Sequence, residues 1–386
     1  MESFIPLSVP SFQGREKEYV EEAVETEWVS TGGAFVTRFE KKTAEYNGAS
    51  HAVACASGTA ALHVALLQGG VTAGDEVLVP TVTFISPVNT VRYVGAEPVF
   101  MDCDEYLNMD IEKVERFVTG ECDFDGETLT DKRSKRKVTA VMPVHVFGNP
   151  ADMDRLMELA ERYGLLVIED ATESLGSCYT KGKSKGKKTG TIGRFGCYSF
   201  NGNKIITSGG GGMIVTGDPA AAAHMKYLTQ QAKDDEVYFV HDEVGFNYRM
   251  TNLQAALGLG QIELLDRYIE IKRNNFRRYR EALAGVRGLS LIGEPEYAKS
   301  NFWFYSLLVD KDGYGLSRDE LLKKLSAHRV QARPLWKLNH EQKPYADCRS
   351  FRIERAPVLY EQLLSIPCSV GLSPEELERV VSILKK

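Results

Sequence analysis

The first half of the chain alternates between short apolar runs and segments of helical spacing. Ala52–Ala56, Glu76–Pro80, Pro98–Asp102, Val138–Val146 and Leu165–Asp170 read as strands, and their near-continuous apolar character suits burial on both faces. Between them, Ala60–Gln68, Ser86–Val94 and Asp152–Tyr163 read as helices. This βαβ alternation predicts a mostly parallel sheet covered by helices. Cys197–Phe200 and Met213–Thr216 add further short strands. Gly120–Lys137 and the lysine-rich Lys181–Lys188 interrupt the pattern as surface loops or hairpins, the second also a candidate phosphate-attracting patch.

The second half reads differently. Thr251 and Gln254 match a capping box, and helical periodicity then runs from Leu253 to about Leu283. Phe302–Val309 and Val330–Pro334 read as strands, and Ser317 with Glu320 caps a helix reaching about His328. Ser373-Pro374-Glu375-Glu376 opens the last helix, with Ser at the cap and Pro in the first turn. The expected organisation is a large α/β unit over residues 1–250. A long connecting helix and a smaller α+β unit follow over 251–386.

Composition narrows the class. The chain has 386 residues, 43% hydrophobic and 26% charged, which excludes a disordered, collagen-like or coiled-coil protein. No stretch approaches the ~18 uninterrupted apolar residues of a membrane span. A net charge of −6 gives no global pull toward nucleic acid or anionic lipid. The Met1–Pro6 start has neither a basic nor an apolar signal region, so a cytoplasmic location is expected. The seven cysteines lack CxxC pairing and the seven histidines lack an HExxH, so neither a disulfide framework nor a metal site is expected. Hard chemistry in this chain calls for an organic cofactor.

Four features sit at the ends of the expected strands, the edge where open α/β sheets bind ligands. Ser57-Gly58-Thr59 lies at a strand-to-helix junction that suits a phosphate, although it also makes an ordinary helix cap. Glu169-Asp170 closes an apolar strand, where a carboxylate needs a partner such as a metal, an arginine or a protonated ring nitrogen, or else caps a helix. Ser199-Phe200-Asn201-Gly202-Asn203-Lys204 places one lysine after a strand and before the Gly209–Gly212 run. A nucleotide-triphosphate loop has its lysine after the glycines, so that reading is disfavoured. Gly245-Phe246-Asn247-Tyr248-Arg249 precedes the capped helix and either anchors an anion or braces the helix start.

Taken in order, SGT, TF, ED, SFNGNK with its glycine run and GFNYRMTNLQAALG resemble the DegT/DnrJ/EryC1/StrS group of sugar aminotransferases. These are pyridoxal 5′-phosphate (PLP) enzymes of fold type I. The resemblance runs from Phe35–Phe39 to Arg333-Pro334-Leu335, and the lysine block is its most specific part. It implies that Lys204 is the Schiff-base lysine and general base, and that Asp170 keeps the pyridine nitrogen protonated. Gly58, Thr59 and Ser199 would hold the phosphate and Phe84 would stack on the ring. Asn247 would reach the phosphate of a partner subunit, which implies a homodimer with shared sites. Many relatives carry Gln or His where this chain has Glu173 beside the phenolic oxygen. An acid at that place hints at the branch acting on UDP-N-acetyl sugars at carbon 4.

The expected reaction moves an amino group from L-glutamate to a nucleotide-linked 4-keto-6-deoxy sugar, in surface-glycan amino-sugar biosynthesis. Thr31, His145, Lys181, Arg249, Trp336 and His340 are candidate sugar contacts, with Ser30 and Tyr345 beside them. Two alternatives stay open: a 3-keto-sugar aminotransferase, and a non-catalytic sensor of PLP or a nucleotide sugar on the same fold.

Overall fold

A computed structural model describes residues 3–235 and 237–385. Its centre is an eight-stranded sheet. The order across it is His51–Cys55, Gly212–Thr216, Phe195–Ser199, Leu166–Asp170, Val138–Val141, Glu76–Pro80, Glu97–Met101 and Ser350–Phe351. Gly212–Thr216 runs antiparallel to both neighbours, and every other pairing is parallel. Parallel strands end on the same side, so the loops after Cys55, Pro80, Asp170 and Ser199 converge on one edge. The expected parallel-sheet fold is the one observed. Among the described residues no helix is long and apolar enough to cross a membrane.

The caps form as their side chains dictate. Thr251 with Gln254 and Ser317 with Glu320 make reciprocal capping boxes, and Ser373 with Glu376 makes the same exchange. The helical stretch after Thr251 is two helices, Asn252–Ile262 and Leu265–Leu283, rather than one. The first packs against the Glu16–Glu25 and Ala34–Asn47 helices. A second sheet follows, antiparallel throughout, in the order Leu289–Leu291, Tyr305–Val309, Leu363–Ile366, Arg333–Pro334.

Three expected strands are shorter than their apolar runs. Of Val138–Val146 the regular strand ends at Val141, with a single bridge from Val144 to Asp170 beyond it, and the chain then turns through Val146–Gly148 with Phe147 at φ 53°. Phe302–Val309 begins at Tyr305, because Phe302 takes φ 49° and turns Trp303 and Phe304 away from the sheet. In Val330–Pro334 only the last two residues pair in the sheet, while Val330 bridges Ile5. Gly120–Lys137 holds a hairpin, Cys122–Phe124 with Leu129–Asp131. Lys181–Lys188 is a turn tied down by Asp154 and Glu158.

One buried carboxylate joins the late segment to the sheet. Asp102 accepts Lys113 Nζ at 2.6 Å and the N–H groups of Glu354, Arg355 and Ala356 at 2.8 Å. Burial alone would raise its pKa, but these donors outweigh it and the net shift is downward. Stability from a depressed carboxylate is present above the unfolded value, near 3.9, and lost as pH falls through the folded one. Asp102→Ala is expected to lose about 3 kcal/mol at neutral pH, because three amides lose their acceptor and Lys113 keeps only Glu354 and the Arg352 carbonyl. Urea unfolding at pH 7 checks this, and the variant should lose less stability than wild type on acidification below about pH 4.

Candidate active site

At the shared edge lies a cavity of about 380 Å³. Its floor is polar and comes from four strand ends: Ser57, Gly58 and Thr59; Thr83 and Phe84; Asp170, Thr172 and Glu173; Ser199 and Lys204. Its upper wall is aromatic, made by Phe147, Trp303, Phe304 and Trp336. Among the described residues that line it, Lys204 is the only lysine.

Lys204 Nζ lies 3.6 Å from Glu173 Oε1 and 4.1 Å from the centre of the Trp303 ring. Trp303 is held in turn, its Nε1–H donating to the Asn203 carbonyl at 2.7 Å. Asp170 is buried and accepts the Thr172 N–H at 3.0 Å. Burial pushes its pKa up, against the pull of Thr172, Lys204 and His145. Glu173 is also buried, and burial lifts it to about 7 although Lys204 and the Phe147 N–H draw it down.

Gly58 starts the Gly58–Gln68 helix after the Ser57 cap, whose side chain accepts the Ala60 N–H. Its first-turn N–H groups have no acceptor within the helix, which favours an anion there. A side chain on Gly58 would come within 2.9 Å of Ser199 Cβ, so only glycine leaves this corner open. Phe84 is half exposed at the mouth, its ring 6.3 Å from Trp336.

Of the six expected sugar contacts only Trp336 lines this cavity, and His145, Lys181 and His340 are engaged elsewhere, which corrects the sequence reading for those three. His145 is fully buried, with Nδ1 accepting the Ala151 N–H at 3.0 Å and Nε2 facing Glu169 at 3.0 Å. Both ring nitrogens are taken. Lys181 lies on the exposed turn and pairs with Glu296 at 3.4 Å. His340 sits behind the cavity wall, its Nδ1 bonded to the Thr81 hydroxyl at 2.6 Å. Tyr345 is likewise buried, with its hydroxyl on Asn89.

Thr31, Asn247 and Arg249 share a separate recess of about 320 Å³ with Lys233. Among the described residues its lining has two cationic side chains and no carboxylate, and the Arg249 Nε is buried with no partner among them. Trp336 lines the main cavity as expected. The wall residues Phe147, Trp303 and Arg333 escaped the sequence reading as site residues. Only the aromatic pair Trp303-Phe304 before a strand hinted at them.

A mostly parallel sheet with two buried carboxylates, a helix start and, among the described lining residues, one lysine at its edge is the arrangement of a fold type I aminotransferase, and these groups fit PLP. The amine suits an aldehyde, the carboxylates a protonated ring, and the open helix start a phosphate. The DegT/DnrJ/EryC1/StrS aminotransferase family model matches residues 10–385, and the chain belongs to that family. It is 38% identical to GDP-perosamine synthase of Caulobacter vibrioides over 384 residues, covering 98% of this chain and 97% of that one. Over 391 residues it is 38% identical to a putative PLP-dependent aminotransferase, EpsN, of Bacillus subtilis, covering 100% and 96%. The crystal structure of DesI in the presence of its TDP-sugar product superposes with a TM-score of 0.87 at 27% identity, covering 100% and 93%. The protein is a PLP-dependent sugar aminotransferase.

Proposed function

We propose that this enzyme transfers the amino group of L-glutamate to the C4 ketone of a nucleotide-linked 4-keto-6-deoxy sugar for surface-glycan synthesis in the cytoplasm. The observation that carries the reading is the single lysine, Lys204, facing two buried carboxylates beside an open helix start. In this reading residues 1–250 hold the cofactor, and residues 251–386 close the cavity with Trp303, Arg333 and Trp336.

When bound, PLP supplies an electron sink for the negative charge that develops at the amino-bearing carbon. Lys204 is the attachment amine and, once displaced by an amino donor, moves protons to and from that carbon. Asp170 keeps the ring nitrogen protonated, and Phe84 covers the ring. Gly58, Thr59 and Ser199 would hold the phosphate, and Glu173 would serve the phenolic oxygen. The aromatic wall excludes water, which strengthens each of these charges. The Caulobacter relative is named GDP-perosamine synthase, so GDP stands beside the UDP-N-acetyl type as a candidate carrier.

The test is a panel of GDP-, UDP- and dTDP-linked keto sugars with L-glutamate, read by mass and NMR. The expected product is a 4-amino sugar with 2-oxoglutarate. Amination at carbon 3 would move the assignment to the 3-keto class. A visible band of the loaded protein that fades with no amino donor would sink the transferase reading.

The cationic recess supports a homodimer, because Asn247 does not line its own chain's Lys204 cavity. If Asn247 serves a phosphate, it serves the partner's. Lys204→Ala and Asn247→Asp subunits, each inactive alone, are expected to regain activity when co-expressed, since one mixed site keeps both residues. The carboxylate is chosen to repel the phosphate. Co-purified heterodimers as inactive as either parent would return Asn247 to bracing the Thr251 helix.

A further inference from the structure

We propose that Glu173 is the proton partner of Lys204, a positioning carboxylate that holds the ammonium in the cavity and takes its proton when the amine must be neutral. The inference rests on the reading of Lys204 as the reactive amine.

The two oxygens of Glu173 have separate roles. Oε2 accepts the Phe147 N–H at 2.8 Å, and Oε1 faces Lys204 Nζ at 3.6 Å. Among the described residues, Lys204 is the only cation paired with this carboxylate. The N–H that fixes Oε2 belongs to a residue in an unfavourable conformation. Phe147 has φ 53° and ψ 21°, a left-handed geometry that a bulky side chain adopts at a cost of about 1–2 kcal/mol.

The bend is held from behind. Gly148 follows at φ 97°, and a side chain there would come within 1.9 Å of Asn301 Oδ1. Asn301 donates to the carbonyls of Glu173 and Leu175 at 3.0 Å, and its oxygen accepts the Trp303 N–H at 2.8 Å. One side chain thus sets both walls that face Lys204, the carboxylate on one side and the indole on the other. Packing alone does not require a charge at this place, because a glutamine would accept the same Phe147 N–H.

Amino transfer requires a lysine nitrogen that is charged at one stage and neutral at another. A carboxylate that already faces the nitrogen gives that proton a direct acceptor. A short approach of Glu173 moves it directly: the N–H bond breaks, an O–H bond forms, and the ion pair becomes a neutral amine and a carboxylic acid. Burial raises the carboxyl to about 7, so both forms are accessible near neutrality. The other charged group facing Glu173 is Asp170, which has the Thr172 donors and His145 near it.

The test is competitive labelling of full-length, cofactor-free protein with acetic anhydride from pH 5 to 10, with Lys204 read by peptide mass spectrometry. The exposed Lys181 serves as the internal standard. Removing the carboxylate leaves the Lys204 nitrogen without its anion and proton acceptor, which favours the neutral, acylable amine. At pH 8, Glu173→Gln is expected to label Lys204 at least tenfold faster than wild type. Glu173→His should do the same, and Glu173→Asp should stay within about threefold of wild type. Glutamine keeps an acceptor for the Phe147 N–H, so the fold is expected to tolerate it. Equal labelling of wild type and both neutral variants would overturn the proposal. Borohydride reduction of the loaded wild type separates the two readings. A cofactor tag away from Lys204 overturns the Lys204 reading and this one with it, whereas a tag on Lys204 with unchanged labelling overturns only the proton partner.

Discussion

Lys204→Ala is expected to abolish transamination while cofactor binding survives in weakened form. The cavity retains its helix start at Gly58, the buried Asp170 and the aromatic wall, so phosphate and ring contacts remain. What disappears is the one lysine in the lining, and with it both the attachment point and the base. Removing a group that acts in both roles costs several orders of magnitude. Steady-state assay of the purified variant, with cofactor retention measured by absorbance after gel filtration, checks both halves. A rate even a tenth of wild type would show that another group is the catalytic lysine.

Asp170→Asn should keep the shape of the site and lose at least a hundredfold in kcat, about 3 kcal/mol of barrier. Asparagine can still accept the Thr172 N–H that the aspartate accepts at 3.0 Å, so the turn after the strand should persist. The charge is lost, and an uncharged amide does not keep a pyridine nitrogen protonated. Single-turnover rates with L-glutamate isolate the step concerned. Near-normal kinetics would mean that Asp170 serves the turn and that Glu173 carries the ring's charge.

These two residues were legible because parallel strands do half of the assembly. A residue at or just past the carboxyl end of any of the mutually parallel strands is delivered to the same edge, whatever the distance along the chain. Ser57-Gly58-Thr59, Phe84, Asp170 and Lys204 all follow strands of this sheet and all line one cavity. The same rule put His145 at that edge but not which way it would face. Neighbouring residues on a strand point to opposite sides, so Asp170 faces the cavity while Glu169 turns to His145 and to the N–H groups of Gly190, Ile192 and Gly193. A carboxylate with those donors inside the sheet claims the histidine, and the sugar contact expected of it cannot form.

From the sequence alone came the alternation of strand and helix, the three capped helices and the order of the chemical groups, because these depend on neighbours a few residues apart. The broken helix at Glu263–Leu264, the left-handed bend at Phe147 and the turn of Trp303 toward Lys204 depend on distant partners. Asn301 contacts Glu173 from 128 residues away, and Trp303 contacts Asn203 across 100. Apolar runs such as Val138–Val146 and Phe302–Val309 look like uninterrupted strands until those contacts pull part of each into the wall of the cavity. Packing over such separations overrides local preference, so which carboxylate faces the lysine, and against which ring, was decided only by the tertiary structure.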